Sequence, residues 1–371
     1  MAIGDSVIHS SFSMSWPPLK KSQEGVFNHG LFESAGLILP WLTPQELANV
    51  SLTCKTLHQI AHPITLHRSL DASRSFENLP IPFHNTLDQS PYSFFIYTAS
   101  LIIPSSSSSL NRQFWGPNST QSPVIPGSSS SGAEMGCAHD SMNRPGASWV
   151  SLVDESGCEC DKCEKVSEDN VIGCPCMELE GDEGMGIMSE CGPSCGCRLE
   201  CGNRLSQRGI RVKLKIVRDV RKGWGLYAAQ CIQRGQFVCE YSGELLTTKE
   251  ARRRQQIYDE LASNGHFSPA LLVVREHLPS GNACLRINID ATRVGNIARF
   301  INHSCDGGNL SSVLVRSSGA LVPRLCFFAS KDIKEDEELT FSYGEIRVRP
   351  TGLKCFCGSS CCFGTLPSEH T

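Results

Sequence analysis

Nine cysteines fall within 44 residues: Cys158, Cys160, Cys163, Cys174, Cys176, Cys191, Cys195, Cys197 and Cys201. Thiolates at such close spacing are soft ligands suited to zinc, which takes four of them in a tetrahedron. Nine does not divide by four. Three zinc ions need about twelve sulfur contacts, and nine thiolates supply them when three each bridge two metals and six bind singly. The spacing therefore predicts a trinuclear zinc cluster. Cys355, Cys357 and Cys362 form a second set that lacks a fourth ligand. Cys305, in the stretch Asn302-His303-Ser304-Cys305, is the candidate to complete it, and Cys361 competes with its neighbour Cys362 for a place. Cys231, Cys239, Cys284 and Cys326 lie in strand-like runs and are read as core residues.

The rest of the composition agrees with metal ligation. Of 20 cysteines in 371 residues, 18 lie at or beyond Cys158. The first residues are polar throughout, unlike a secretory leader, and no apolar run approaches the ~20 residues that cross a bilayer. The expectation is a reducing compartment, where closely spaced thiols bind metal more often than they form disulfides. A formal net charge of -4 with 19% charged and 40% hydrophobic residues excludes both a basic nucleic-acid coat and a solvated acidic polymer. Thirteen metal-bound thiolates against four zinc ions would move the charge of the folded protein to about -9.

The elements that position these groups follow from pattern. Residues 1–30 lack periodicity and are expected to be disordered. Thr43-Pro44-Gln45-Glu46 is a capping box with proline at the first helical position. Leu47, Val50, Cys54, Leu57 and Ile60 then recur at helical spacing, which predicts a small helical module over 31–75. Residues 76–155, with serine runs at 105–109 and 128–131, read as a linker. Acidic residues crowd 154–190, read as solvated loops around the cluster rather than as bait for a basic tail. Beyond Cys201 the chain turns to strands: Val212-Leu214-Ile216 in alternation, then 237–246, 285–290, 324–330 and 338–343. Thr247 and Glu250 open a helix that Gly265 ends.

At this point the motifs carry a resemblance. The nine-cysteine segment ending Cys201-Gly202-Asn203-Arg204, Gly223-Trp224-Gly225-Leu226-Tyr227, Glu240-Tyr241-Ser242-Gly243-Glu244, GNIARFINHSC at 295–305, ELTFSYG at 338–344 and the final CxCx4C stand in order. They resemble the pre-SET, SET and post-SET blocks of SET-domain histone-lysine N-methyltransferases, most closely the plant Su(var)-related type. The resemblance implies a mainly β (α+β) fold of small curved sheets with a knot-like C-terminal segment. A pre-SET zinc cluster over 156–205, a SET domain over 211–344 and a post-SET zinc site over 352–371 are implied with it.

It also implies S-adenosylmethionine as cofactor, held by Lys222, Gly223, Trp224, Gly225, Asn302, His303 and Tyr343. Tyr343 would be the principal catalytic residue, Tyr241 would orient the amine and Phe341 would line the lysine channel. Phenylalanine rather than tyrosine at 341 implies room for more than one methyl group. Ser342 stands where relatives carry aspartate. ALLVVREHL at 270–278 lacks the family's acidic run and one cofactor-contacting tyrosine, and Thr365 stands near a usual aromatic. The implied function is methyl transfer to a histone lysine in nuclear chromatin, most commonly the ninth residue of the histone H3 tail. The alternatives are a non-histone substrate, or a ubiquitin-ligase adaptor role through residues 37–61, which resemble an F-box. Histone tails or nucleosomes are the implied partners, without membrane or sequence-specific nucleic-acid binding.

Overall fold

The computed structural model describes residues 27–104, 110–112, 157–160, 163, 174, 176, 187–263, 269–277, 284–320, 322–344 and 353–367. Residues 1–26, both serine runs, most of the acidic stretch, Gly265 and the Cys284 side chain lie outside the described residues. Among the described residues, no helix is long and apolar enough to cross a membrane.

The chain divides into two units, residues 1–62 and 63–371. In the first, helix α1 (Phe27–Ile38) begins a few residues before the expected boundary and is followed by α2 (Pro44–Ser51). The capping box forms: the Thr43 N–H donates to Glu46 Oε2 at 2.8 Å and the Glu46 N–H to Thr43 Oγ1 at 3.4 Å. These bonds satisfy two of the amides that a helix start otherwise leaves unpaired. Of the expected apolar face only Leu47 is buried, joined by Ala35, Leu39 and Ala61. Cys54 is exposed because it works as a helix cap, its Sγ accepting the Leu57 N–H at 3.5 Å. The third helix, α3 (Lys55–Leu70), contains the division at Pro63, so the helical module does not extend to residue 75.

The second unit corrects the expected linker. Residues 76–104 are not a spacer over the part described: Ile81, Phe83, Tyr92, Phe95, Tyr97 and Leu101 are buried in the main core with Leu214, Ile216, Leu226 and Phe300. Arg68, at the end of α3, donates to Tyr92 Oη at 3.0 Å and lies 4.7 Å over the Phe94 ring. The short strands β1 (Phe83–His84), β2 (Ile96–Tyr97) and β3 (Ile102–Pro104) form because distant strands accept them, not because of local periodicity.

Four sheets follow, counted among the described residues. β1 lies parallel to β6 (Leu214–Asp219), which pairs antiparallel with β7 (Gly223–Ala228). The largest sheet runs β10 (Leu271–His277), β11 (Cys284–Gly295), β9 (Gly243–Leu246), β3 and β4 (Leu110–Arg112), with β2 also on β11. Helix α4 (Thr248–Ser263) opens with the Glu250 N–H on Thr247 Oγ1, as its sequence predicts. The third sheet orders β5 (Ile187–Glu190), β13 (Leu310–Ser317), β14 (Arg324–Ala329) and β8 (Phe237–Glu240). The expected strand 237–246 breaks at Tyr241-Ser242 so that Gly243 can approach β11; a Cβ there would sit 2.6 Å from the Asp290 carbonyl oxygen.

β12 (Asn302–His303) and β15 (Thr340–Phe341) pair in parallel. The Ser304 and Asn309 amides donate to the Phe341 and Thr340 carbonyls, so the C-terminal strand is laced into the 302–309 loop, the knot-like closure that was expected. That lacing leaves only two residues of the 338–343 run as strand. Cys239 and Cys326 are core residues, but Cys231 is exposed, because its run is the turn between β7 and β8 rather than a strand. Arg324 is fully buried and pairs with Glu190 at 3.1 Å and Glu240 at 3.2 Å. Glu190 precedes Cys191, so this buried ion pair ties the cysteine cluster to the sheet. Removing one partner would strand a buried charge at a cost of about 3–5 kcal/mol.

Candidate active site

Period-two geometry puts Phe341 and Tyr343 on one face of the C-terminal segment, their ring centroids 5.0 Å apart, while Ser342 points outward and is exposed. Phe341 meets Phe327 of β14 at 4.7 Å, and Phe327 meets Tyr241, just past β8, at 6.4 Å. Four rings from three segments thus stand in a row. The Tyr343 hydroxyl donates to the Ile301 carbonyl at 2.7 Å and the Tyr241 hydroxyl to the Ala270 carbonyl at 2.8 Å. Burial pushes both phenols above their usual range, with Glu338 adding to Tyr343 and Tyr343 adding to Tyr241. Both stay protonated near neutrality and keep donating.

Beside this row lies the turn from β6 to β7. Gly223 adopts φ +80°, which glycine tolerates and other residues resist. Trp224 packs edge-on against Phe83 at 5.2 Å, with the Arg218 guanidinium 5.2 Å over its ring. Asn302 donates to Glu338 Oε1 at 2.8 Å and to the Trp224 carbonyl at 3.4 Å, and Lys222 pairs with the other Glu338 oxygen. Lys222, Gly223, Trp224, Gly225 and Asn302 therefore share one corner, beside Tyr343. His303 is there too, but its ring is committed inward. Nδ1 accepts the Tyr343 N–H at 3.1 Å and Nε2 lies 3.3 Å from Cys305 Sγ, which leaves only its main chain to face a cofactor.

Sequence reasoning missed Glu338, Phe327 and Phe83. Glu338 opens the ELTFSYG motif, so a search for a partner to Lys222 and Asn302 within that motif would have found it. Phe327 sits in a continuous apolar run and carries no local mark of its role. Phe83 lies in the stretch read as linker.

The cysteines assemble as their spacing suggests. Three groups of four have all sulfurs within 4.8 Å of one another: Cys158, Cys163, Cys174, Cys191; Cys158, Cys176, Cys191, Cys195; and Cys163, Cys191, Cys197, Cys201. Cys158, Cys163 and Cys191 recur, and their sulfurs make a triangle with sides of 3.6, 3.9 and 3.5 Å. Cys160 belongs to none of these groups but packs against the cluster. The fourth group is Cys305, Cys355, Cys357 and Cys362, while Cys361 lies outside it, exposed, with its sulfur 3.0 Å from Ser359 Oγ. Burial pushes the Cys158 and Cys355 thiols up to about 12 and raises Cys163 and Cys191 as well. A buried all-sulfur set of this kind fits zinc, whose charge makes thiolates stable where burial alone opposes them.

The interlaced 302–309 and 340–343 segments, the glycine turn and the ring row define a SET domain flanked by two cysteine centres. Residues 223–344 match the SET domain family model. The chain is 59% identical over 341 residues, 91% of each sequence, to histone-lysine N-methyltransferase SUVR3 of Arabidopsis thaliana. Among solved structures, Arabidopsis thaliana SUVH6 in complex with SAM superposes with TM-score 0.58 and 26% identity, covering 80% of this chain and 55% of that one. KRYPTONITE in complex with mCHH DNA, H3(1-15) peptide and SAH gives TM-score 0.53 and 28% identity over 80% of this chain and 53% of that one. The chain belongs to the plant Su(var)-related SET-domain histone-lysine N-methyltransferases, a family of S-adenosylmethionine-dependent enzymes.

Proposed function

We propose that the protein transfers methyl groups from S-adenosylmethionine to a lysine of histone H3 in chromatin, with the ninth residue of the tail as the expected target. The observation that carries this reading is the row Tyr241, Phe327, Phe341 and Tyr343 standing beside the Lys222–Gly225 turn and Asn302. When bound, S-adenosylmethionine supplies an activated methyl on a cationic sulfonium. The protein's own task is to prepare the amine and hold it in line. A lysine ammonium has a reference pKa of about 10.4 and must lose a proton before it can attack. Channel walls made of buried aromatic rings disfavour the charged form and lower that pKa. The Tyr241 hydroxyl orients the amine, and Tyr343 places its ring and oxygen where positive charge is transferred. Positioning and fixed dipoles of this kind, rather than a covalent intermediate, supply the acceleration.

Phe341 carries no hydroxyl that could narrow the channel, which supports transfer of more than one methyl group. Cys158, Cys163 and Cys191, shared between groups, would bridge three zinc ions. The terminal pairs would be Cys160 with Cys174, Cys176 with Cys195, and Cys197 with Cys201. The fourth cysteine group would hold a single zinc ion against the C-terminal end of the site. Neither centre takes part in the transfer; both fix the walls around it. Residence in the nucleus follows from a histone substrate.

The test is transfer of labelled methyl from S-adenosylmethionine to recombinant nucleosomes and to an H3 tail peptide, each with lysine or arginine at the ninth position. Labelling that disappears with arginine supports the full reading. Labelling that persists on H3 moves the target, and labelling confined to other proteins selects the non-histone alternative. Exposed Leu37, Trp41 and Leu52, at 75%, 69% and 85% accessibility, favour a second role for the helical unit as an adaptor for a ubiquitin ligase. Co-purification of the full chain with such an adaptor, lost when Trp41 and Leu52 become alanine, tests it.

A further inference from the structure

A line of hydrogen bonds runs from helix α4 to the Tyr241 hydroxyl. The Ala270 carbonyl that receives this hydroxyl also accepts the Ala291 N–H at 2.9 Å. Ala270 stands one residue ahead of β10, whose register with β11 begins at Leu271 opposite Asp290. Here the Ala270 amide turns to a side chain and donates to Thr292 Oγ1 at 2.9 Å. The Thr292 N–H in turn donates to Asp290 Oδ1 at 2.9 Å. Asp290 Oδ2 accepts from two α4 side chains, Arg254 Nη1 at 2.7 Å and the Tyr258 hydroxyl at 2.8 Å.

The Asp290 side chain has no solvent exposure. A buried carboxylate is costly unless every oxygen is engaged, and the bonds to Asp290 engage both. Arg254 is itself fixed by Glu244 at 2.7 Å and Glu250 at 3.0 Å. The register of β11 against β9 shifts between Asp290 and Gly295, so ordinary strand pairing does not set the backbone in this stretch. The side-chain bonds set it instead.

We propose that Thr292 and Asp290 are positioning residues of the active site: they fix Ala270, and through its carbonyl the direction of the Tyr241 hydroxyl, with Arg254 and Tyr258 locking them from α4. Neither residue belongs to the ring row itself. Their effect is on turnover, because a displacement of about 1 Å in a catalytic group costs about a hundredfold in rate, whereas the Lys222–Asn302 corner is untouched. The inference rests on the methyl-transfer reading, and the hydroxyl of Thr292 offers a clean test. Thr292→Val keeps the shape and removes the acceptor; Thr292→Ser keeps the acceptor.

Three quantities are measured on the full-length zinc-loaded protein: kcat for methyl transfer, the dissociation constant for S-adenosylhomocysteine, and hydrogen exchange of the Ala270 amide. Thr292→Val is expected to lower kcat about tenfold, to leave the dissociation constant within twofold, and to speed exchange at Ala270, with Thr292→Ser restoring both changed quantities. A purely packing role would lower the melting temperature without changing the kcat of the folded fraction, and that result overturns the proposal. Unchanged exchange at Ala270 in Thr292→Val also overturns it. Should the wild-type protein transfer no methyl group to any substrate, the functional reading fails separately, and the exchange measurement still decides whether Thr292 holds Ala270.

Discussion

Asn302 Nδ2 donates to Glu338 Oε1 at 2.8 Å, and the same carboxylate takes the Lys222 ammonium on its other oxygen. One acidic residue thereby holds both arms of the Lys222–Asn302 corner in place, and Gly225 packs against it so closely that a Cβ would lie 3.0 Å from both Asn302 Nδ2 and Glu338 Oε1. Glu338→Ala removes the shared partner. The expected outcome is an increase of about tenfold in the dissociation constant for S-adenosylhomocysteine, equivalent to about 1.4 kcal/mol, measured by titration calorimetry. An unchanged constant would remove Glu338 from the site.

The segment read as linker supplies a second test. Phe83 packs against Trp224 at 5.2 Å and Phe300 at 5.8 Å, and β1 gives the β6–β7 sheet its third strand. Phe83→Ala should cost about 3–5 kcal/mol in stability and raise the KM for the cofactor, whereas Phe83→Leu should retain most of both. A chain that starts at residue 157, with every zinc motif intact, should fail to give a cooperative melting transition. A normal transition from that shortened chain would contradict the role of residues 76–104 in the core.

Those residues also show why the sequence was readable in some places and not in others. The nine clustered cysteines, the capping box at Thr43, the glycine turn at Gly223 and the shared face of Phe341 and Tyr343 are local and follow from spacing, whereas Cys305 joins Cys355, Cys357 and Cys362 only through the fold. β1 and β2 are two residues long and exist only because β6 and β11 accept their backbone, so no periodicity announces them. Ring contacts through Phe327 and the carboxylate of Glu338 are set by long-range packing, and Phe327 lies in a run apolar enough to hide any special residue. Cys231 fails the opposite way, its strand-like neighbours concealing a turn.

Zinc content separates the two centres. Four cysteine groups predict four zinc ions per chain by elemental analysis. Cys355→Ser should lose one ion and keep the remainder. Cys191→Ser, which removes the sulfur common to three of the groups, should lose more than one. Loss of the same single ion in both variants would contradict the shared-ligand arrangement.

Acid–base behaviour offers a test away from both metal centres. Burial raises the Glu77 carboxyl above its ordinary 4.5, although the Tyr97 hydroxyl and the Ile210 N–H donate to it and oppose the rise. The folded state therefore binds this proton more tightly than the unfolded state. Its stabilising effect is full below pH 4.5 and is lost as pH rises through the elevated folded value. Glu77→Gln removes the titration, so the melting temperature of wild type relative to the variant should fall as pH increases from about 4.5 to 8. A difference that does not change with pH would show that Glu77 is not perturbed.

Methyl transfer from S-adenosylmethionine to a histone lysine beside Tyr343 is read directly by mass spectrometry of H3 tail peptides after reaction. Tyr343→Phe keeps the ring contacts and removes only the hydroxyl on the Ile301 carbonyl, so it should fold as wild type does. Wild type is expected to give di- and trimethylated peptide at one lysine, and Tyr343→Phe to lose at least about a hundredfold in rate. No methylated peptide from wild-type protein, or wild-type rates from Tyr343→Phe, would contradict a catalytic role for Tyr343 in histone methylation.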